Sequence, residues 1–248
     1  MGAMNAKTVL VTGGSRGIGA ATARRLAALG CNVALSYRSD VVAADAVVRD
    51  CVAAGARAWA FPADVADPAE VEALFGAVDA HVGTLDGLVN NAGVVSPAAR
   101  VDAYSAERIR AVFDINVTGA FLVAGAAVRR MSTTHGGTGG VIVNVSSRAA
   151  ILGGAGEYVD YAATKAAIDV LTVGLAAEVA REGIRVVGVR PGLIDTEIHS
   201  PGRVERMTDK IPVGRPGTAD EVAAAIAWLL GDEASYVTGS TLDVGGGR

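Results

Sequence analysis

The chain has 248 residues, 51% of them apolar and 19% charged, with a formal net charge of −4 at pH 7. That length and apolar content suffice for a large core and argue against disorder. The mild acidity, with no stripe of Lys and Arg, argues against a nucleic-acid-binding surface, and the 32 glycines follow no G-X-Y period, so a collagen-like chain is excluded.

The N-terminal "MGAMNAKTVLVTGG" lacks the charged region and long apolar run of a secretory signal. No apolar run reaches the roughly 18 residues of a membrane span. The expectation is a cytoplasmic protein with no membrane partner, in which residues 1–6 are disordered or partly an expression remnant and Met4 is the natural start. A strand is predicted at 8–13, a helix at 17–30, a strand at 32–37 and a helix at 40–54. Cys31 and Cys51 fall within this stretch, outside any CxxC and away from His, which predicts buried, reduced core residues and no metal site. A strand at 57–63, a helix at 68–82 and a strand at 85–91 come next, then a long helix at 105–131. "STTHGGTGG" (132–140) reads as a polar surface loop. A strand at 140–147, a helix at 159–182 and a strand at 185–191 lead to residues 192–217, where the apolar period is lost. A loop that long in a compact domain is usually functional or mobile, and it is a candidate lid. A helix at 218–231 and a strand at 240–246 close the chain.

Strands this apolar are buried on both faces. Their alternation with helices predicts an α/β chain: a single-domain, Rossmann-type, doubly wound, seven-stranded parallel sheet with helices on both faces. No shift in composition marks a second domain.

"VLVTGGSRGIGAATARRLAALG" runs from an apolar strand into an amphipathic helix, with Gly13, Gly17 and Gly19 at the turn. Glycine lets backbone approach a ligand closely, and the free N–H groups of a helix start suit a pyrophosphate. A tight turn with no ligand has the same local pattern. The spacing differs from G-x-G-x-x-G and resembles the TGxxxGIG signature of the short-chain dehydrogenase/reductase family. The resemblance continues in order through Asn90-Asn91-Ala92-Gly93, Asn116 in "DINVTGAF", Ser147, Tyr161-Ala-Ala-Thr-Lys165, Pro191-Gly192 and the C-terminal "GRPGTADEVAAAIAWLLGDEASYVTGSTLDVGGG". It covers residues 7 to 247.

An isolated tyrosine has a pKa near about 10, and a cation within about 4–6 Å favours its phenolate. Tyr161 and Lys165 stand four residues apart and share a helix face. Tyr158 has Ala162 at that offset, so it reads as a pocket wall or a packed residue. Ser147 lies 14 residues before Tyr161 (161 − 147), one more than the family's usual interval. The residue at the usual interval is Arg148, which lacks a hydroxyl, so Ser147 is the candidate and Ser146 a structural strand-end residue. The resemblance implies a catalytic set of Asn116, Ser147, Tyr161 and Lys165. Ser147 would hold the substrate oxygen, and Tyr161 would give or take the proton. Lys165 would lower the Tyr161 pKa and bind the nicotinamide ribose, and Asn116 would help to hold a water. It also implies cofactor contacts from Gly13, Ser15, Arg16, Gly17, Ile18 and Gly19 of the turn, from Tyr37 and Arg38, and from Asp64 and Val65. Asn91, Ala92 and Gly93, Tyr161 and Lys165, and Pro191, Gly192, Ile194 and Thr196 complete that set.

An acidic residue after the second strand repels a 2′-phosphate. Here that position is Tyr37, followed by Arg38, with Arg16 in the glycine turn as a second cation, so NADP(H) is preferred over NAD(H). Asp40 is the competing residue, if its carboxylate turns to the ribose. The reaction implied is the interconversion of a small-molecule carbonyl and an alcohol. Val94–Pro97, Arg148–Tyr158 and Leu193–Pro212 are the expected pocket segments. The substrates of similar members include 3-oxoacyl thioesters, sugars and steroids, and an acyl carrier would want basic surface such as Arg129-Arg130. Two other readings remain: a non-catalytic NADP-sensing or scaffold protein, and an epimerase or dehydratase, which usually has a longer substrate domain. The helices at 105–131 and 159–182 carry more apolar residues than one sheet face needs, and the family resemblance then implies a homotetramer.

Overall fold

Each strand alternates its side chains between two helical layers. A computed structural model describes residues 7–248, so the expectations for residues 1–6 lie outside it. The strands are β1 (Thr8–Val11), β2 (Asn32–Tyr37), β3 (Ala58–Pro62), β4 (Gly87–Asn90), β5 (Gly140–Val145), β6 (Ile184–Pro191) and β7 (Thr241–Val244). They form one seven-stranded sheet in the order β3-β2-β1-β4-β5-β6-β7, every pair parallel. The helices are α1 (Gly17–Ala28), α2 (Val41–Ala53), α3 (Pro68–His81), α4 (Ala106–Phe113), α5 (Ala120–Met131), α6 (Ala149–Leu152), α7 (Val159–Val179), α8 (Arg203–Thr208) and α9 (Ala219–Leu230).

Val9, Val11 and Val143 pack with Leu26 of α1, Val47 of α2 and Ile226 of α9 on one face. Leu10, Ile142 and Val186 pack with Phe75 of α3, Val123 of α5 and Val179 of α7 on the other. Cys31 and Cys51 are buried thiols of the first core. The helix starts follow from local chemistry. Asp40 accepts from Ala43 N at the start of α2, and Asp67 caps α3 ahead of Pro68. Ser105 caps α4, and Thr218 with Glu221 forms a capping box on α9.

Two predicted elements differ. The expected helix at 105–131 is interrupted by a π-helical turn at Asp114–Gly119. Gly119 is pressed so closely on Val65 that a Cβ there would lie 2.8 Å from its side chain. A π-turn carries one extra residue and re-aims the side chains beside it, and here it turns Asn116 inward to 1% exposure. The run Ala106–Met131 is the one described helix long and apolar enough to cross a membrane, yet it packs as a layer helix against α3, β4 and α7. The candidate lid is not all loop. It contains α8, whose Met207 packs with Leu193 and Ile211 in a small separate cluster. Six residues are too few to display a helical period.

Candidate active site

The C-terminal ends of parallel strands, beside the point where strand order reverses, form a natural crevice. Here the reversal lies between β1 and β4. The β1–α1 turn is held there by Thr12 and Asn91. Thr12 Oγ1 accepts from the amides of Asn91 at 3.0 Å and Ala92 at 3.1 Å. Asn91 Nδ2 donates to Thr12 O at 2.9 Å and Gly13 O at 3.2 Å. Gly13 takes a left-handed φ of 63°. A Cβ on Gly19 would lie 2.3 Å from Gly13 O and 2.7 Å from Asn91 Nδ2, so only glycine fits. Thr196 lies over this turn, its methyl 3.6 Å from where a Cβ on Gly17 would be.

The catalytic candidates meet at the end of β5. Ser146 and Ser147 point to different tasks, as strand alternation requires. Ser146 is buried and donates through Oγ to Lys165 O at 2.9 Å. Ser147 lines the crevice beside Tyr161, and its Oγ accepts from Ala149 N at 3.1 Å. The residues between them fold into α6 and a glycine-rich bend, in which a Cβ on Gly154 would strike the Tyr158 ring at 2.8 Å. Lys165 is 5% exposed and donates to Val145 O at 2.8 Å, with its ammonium 5.7 Å from the Tyr161 ring centre. Asn116 Oδ1 accepts from Val94 N at 2.8 Å, and its Nδ2 donates to Val94 O at 2.9 Å and Thr164 Oγ1 at 3.1 Å. Its side chain is thus committed to holding the strand after Gly93 against α7.

Burial pushes the Lys165 ammonium down to about 8, with the charge of Asp169 opposing it. Burial also pushes the Tyr161 phenol up, and its hydrogen bond with Ser147 pulls the other way. The Lys165 ammonium, expected to favour the Tyr161 phenolate, is bonded here to Val145 O.

Tyr161, Ser147 and Lys165 line a cavity of about 630 Å³ with Ile18, Gly93 and Thr196. That is the size range of small-molecule and cofactor sites. The three expected pocket segments all reach it: Val95–Pro97, Arg148–Tyr158 and the lid. Tyr158 is a wall residue, set edge-on to Tyr161 with ring centres 5.6 Å apart. Arg203 of α8 fastens the lid to that wall. Its Nε and Nη2 donate to Glu157 Oε2 at 3.2 and 3.0 Å, and Nη2 also bonds the Tyr158 hydroxyl.

The comparisons agree with this geometry. A family model described as enoyl-(acyl carrier protein) reductase matches residues 13–248. An uncharacterized oxidoreductase YgfF of Escherichia coli (strain K12) is 54% identical over 96% of this chain and 98% of its own. The 3beta-hydroxysteroid dehydrogenase 1 of Eggerthella lenta is 42% identical over 98% of this chain and 94% of its own. A short-chain dehydrogenase from Burkholderia cenocepacia J2315, solved in complex with NADP, superimposes with a TM-score of 0.93 at 37% identity, covering 99% of this chain and 98% of that one.

This chain belongs to the short-chain dehydrogenase/reductase family. The remaining predicted site residues of this oxidoreductase lie along the same sheet edge, beyond the cavity. Tyr37 and Arg38 end β2, and Tyr37 O accepts from Ala63 N at 2.8 Å, which brings Asp64 and Val65 alongside. Arg16 and Arg38 are exposed and make no described ion pair. Asp40 is occupied as the cap of α2. Arg129 and Arg130, a suggested basic surface, are paired with Glu72 and Asp79.

Arg203 and Glu157 fall within the expected pocket segments, but sequence reasoning did not pair them, and it missed a partly buried clamp at the start of α7. Arg108 donates from Nε and Nη2 to Asp160 at 2.7 and 3.2 Å and from Nη1 to Pro97 O, while Asp160 Oδ1 accepts from Tyr161 N at 2.9 Å. The clamp joins a pocket wall to the residue beside Tyr161. Its partners are distant in sequence, so no local pattern displays them.

Burial alone would raise the Asp160 carboxyl, but the bonds from Arg108 and the Tyr161 amide outweigh it and hold the group below its ordinary value. The stability it adds is therefore complete above the unfolded carboxyl pKa and lost as pH falls through the folded one. Asp160→Asn should cost about 1.5–3 kcal/mol at neutral pH, because it takes the charged partner from a partly buried guanidinium that keeps its bond to Pro97 O. Urea unfolding between about pH 5 and pH 3 should show the native chain losing stability faster than the variant. Parallel pH slopes in the two proteins would contradict this account of the clamp.

Proposed function

We propose that this chain catalyses the NADP(H)-dependent interconversion of a small-molecule carbonyl compound and its secondary alcohol, with Tyr161 as proton donor and acceptor. The observation that carries the reading is the meeting of Ser147, Tyr161 and Lys165 on one wall of the cavity. A bound nicotinamide would supply the redox chemistry, and the protein would orient and polarise. Ser147, beside Tyr161 on the cavity wall, would offer its hydroxyl to the substrate oxygen. A phenol raised by burial stays protonated at neutral pH, which suits proton donation to that oxygen during reduction. Lys165 would provide the charge that favours the phenolate left behind and the donors for the ribose hydroxyls. Asn116, its amide committed to Val94, would assist through the backbone of the π-turn. A non-catalytic NADP sensor on this fold is the weaker reading, since Ser147, Tyr161 and Lys165 are all present and line one cavity.

The residues fit the cofactor. The Gly13–Gly19 turn leaves no room for side chains and opens into the N-terminus of α1, a suitable seat for a pyrophosphate. Gly93, Pro191, Gly192, Ile194 and Thr196 border the cavity next to Lys165 or the turn. Arg38 and Arg16 make no ion pair among the described residues, and Asp40 caps α2, which favours NADP(H) over NAD(H). Charge-assisted bonds to a phosphate are the strong kind. Exposed Phe113 and Phe121 on the α4–α5 run, with Val170 and Val173 on α7, favour burial against further copies, consistent with a homotetramer. Two buried thiols suit the reducing cytoplasm.

Tyr161→Phe should keep the fold and NADPH affinity while lowering turnover by about 10²–10⁴-fold. The assay is NADPH oxidation against a panel of ketones, and near-native rates on an accepted ketone would remove Tyr161 from its role. Arg38→Ala should weaken NADPH by about 10- to 100-fold, a charged hydrogen bond being worth about 1.5–3 kcal/mol. NADH should be nearly unaffected. Fluorescence titration reads both, and tighter native binding of NADH than of NADPH would overturn the cofactor preference.

A further inference from the structure

Behind Lys165 runs a chain of alternating charges that the proposed reaction does not yet use. Asp169 lies one helical turn beyond Lys165 on the same face of α7. Its Oδ2 accepts from Arg190 Nε of β6 at 2.8 Å, while its Oδ1 is buried and has no hydrogen-bond partner. Arg190 is shared, because its Nη1 also reaches Asp243 Oδ1 of β7 at 3.3 Å. Asp243 in turn pairs with Arg148, the residue after Ser147. Asp169 is thus bonded through one oxygen only, and its other oxygen is buried and unbonded among the described residues, on the helix face that holds a buried ammonium.

Across the cavity from Lys165 stand Arg148, Glu157, Tyr158, His199, Arg203, Arg206 and Lys210, and fewer charged groups pack directly around it. Its own helix brings Tyr161 and Asp169. α4 brings Arg108, bound to Asp160 at the start of α7, and β6 brings Arg190. β5 faces it with Val145 O, and the π-turn with the neutral Asn116. The short α6 and the facing part of α5 are uncharged. Among these groups Asp169 is the carboxylate whose charge acts on the ammonium, opposing the effect of burial.

We propose that Asp169 is a positioning residue that keeps Lys165 protonated in its buried seat, with Arg190 setting how much negative charge Asp169 has to offer. The proposal rests on the catalytic reading of Lys165 given above. It makes predictions of opposite sign for two neutralising changes. Asp169→Asn removes the stabilising charge, so Lys165 should lose its proton at lower pH. Arg190→Gln frees the Asp169 charge, so Lys165 should hold its proton to higher pH. A purely structural ion pair would weaken the fold in both variants without such a split.

The test is competitive acetylation of Lys165 by acetic anhydride across pH in the full chain, read by peptide mass spectrometry, beside the pH profile of ketone reduction. The Lys165 titration should move down by about one pH unit in Asp169→Asn and upward in Arg190→Gln. No movement, or movement in the same direction in both, overturns the proposal. Opposed titrations with an unmoved pH–rate profile would uphold the electrostatic link and defeat the catalytic reading of Lys165 instead. Should Asp169→Asn fail to fold, Arg190→Gln decides alone, and an unchanged or lowered Lys165 titration overturns the proposal.

Discussion

The rotation of α7 on β5 is the constraint on which the site depends. Ser146 Oγ donates to Lys165 O at 2.9 Å, and two turns further on Asn144 Nδ2 donates to Thr172 Oγ1 at 3.0 Å. Asn144 Oδ1 also accepts from Asn90 Nδ2, which reaches Ala120 O, so β4, β5, α5 and α7 share one buried polar ladder. Buried polar groups are costly when unpaired, so a slip of the helix would leave several of them unsatisfied. With the helix fixed in this way, Tyr161 and Lys165 can only face the end of β5. Ser147, one residue beyond the buried Ser146, can only face the crevice.

The same placement sets the electrostatics. A lysine at 5% exposure and a tyrosine beside it are both pushed toward their neutral forms. The surroundings then restore charge selectively, through Val145 O and Asp169 for the ammonium and through Ser147 for the phenol. Catalytic groups with perturbed pKa values arise where burial and specific partners compete in this manner. The walls have firm anchors: α8 is tied to the residues before α7 through Arg203 and Glu157, and Pro97 is tied to the start of α7 through Arg108 and Asp160. Three pocket segments distant in sequence thus take their position from the start of α7.

Much of this was legible in the sequence, for physical reasons that can be named. The seven strands are short β-branched runs, and their existence and type held, with ends that differ by no more than two residues. The Gly13–Gly19 turn, the Asn90–Gly93 stretch and the Tyr161/Lys165 pair are local in sequence, so spacing alone carries them. The choice of Ser147 over Ser146 rested on the family's interval to the tyrosine. What escaped was non-local. Arg108 and Asp160 are 52 residues apart, Arg203 and Glu157 46, and Arg148 and Asp243 95, with no pattern to join them. The π-turn escaped because one inserted residue leaves the apolar period of the 105–131 run nearly intact. The competition between Asp40 and Arg38 at the ribose also needed coordinates, since a capping carboxylate and a ligand-reading one look alike in sequence.

The central claim is that the Ser147–Tyr161–Lys165 wall directs hydride transfer between NADP(H) and a carbonyl carbon. The most direct measurement is to supply NADPH carrying deuterium at nicotinamide C4 with a panel of ketones and to analyse the products by mass spectrometry. The account predicts deuterium on the carbinol carbon of the product, in step with NADPH oxidation, and its absence when Tyr161 is replaced by Phe. Ketone reduction with no deuterium in the product, or NADPH oxidation with every ketone recovered unchanged, would contradict it.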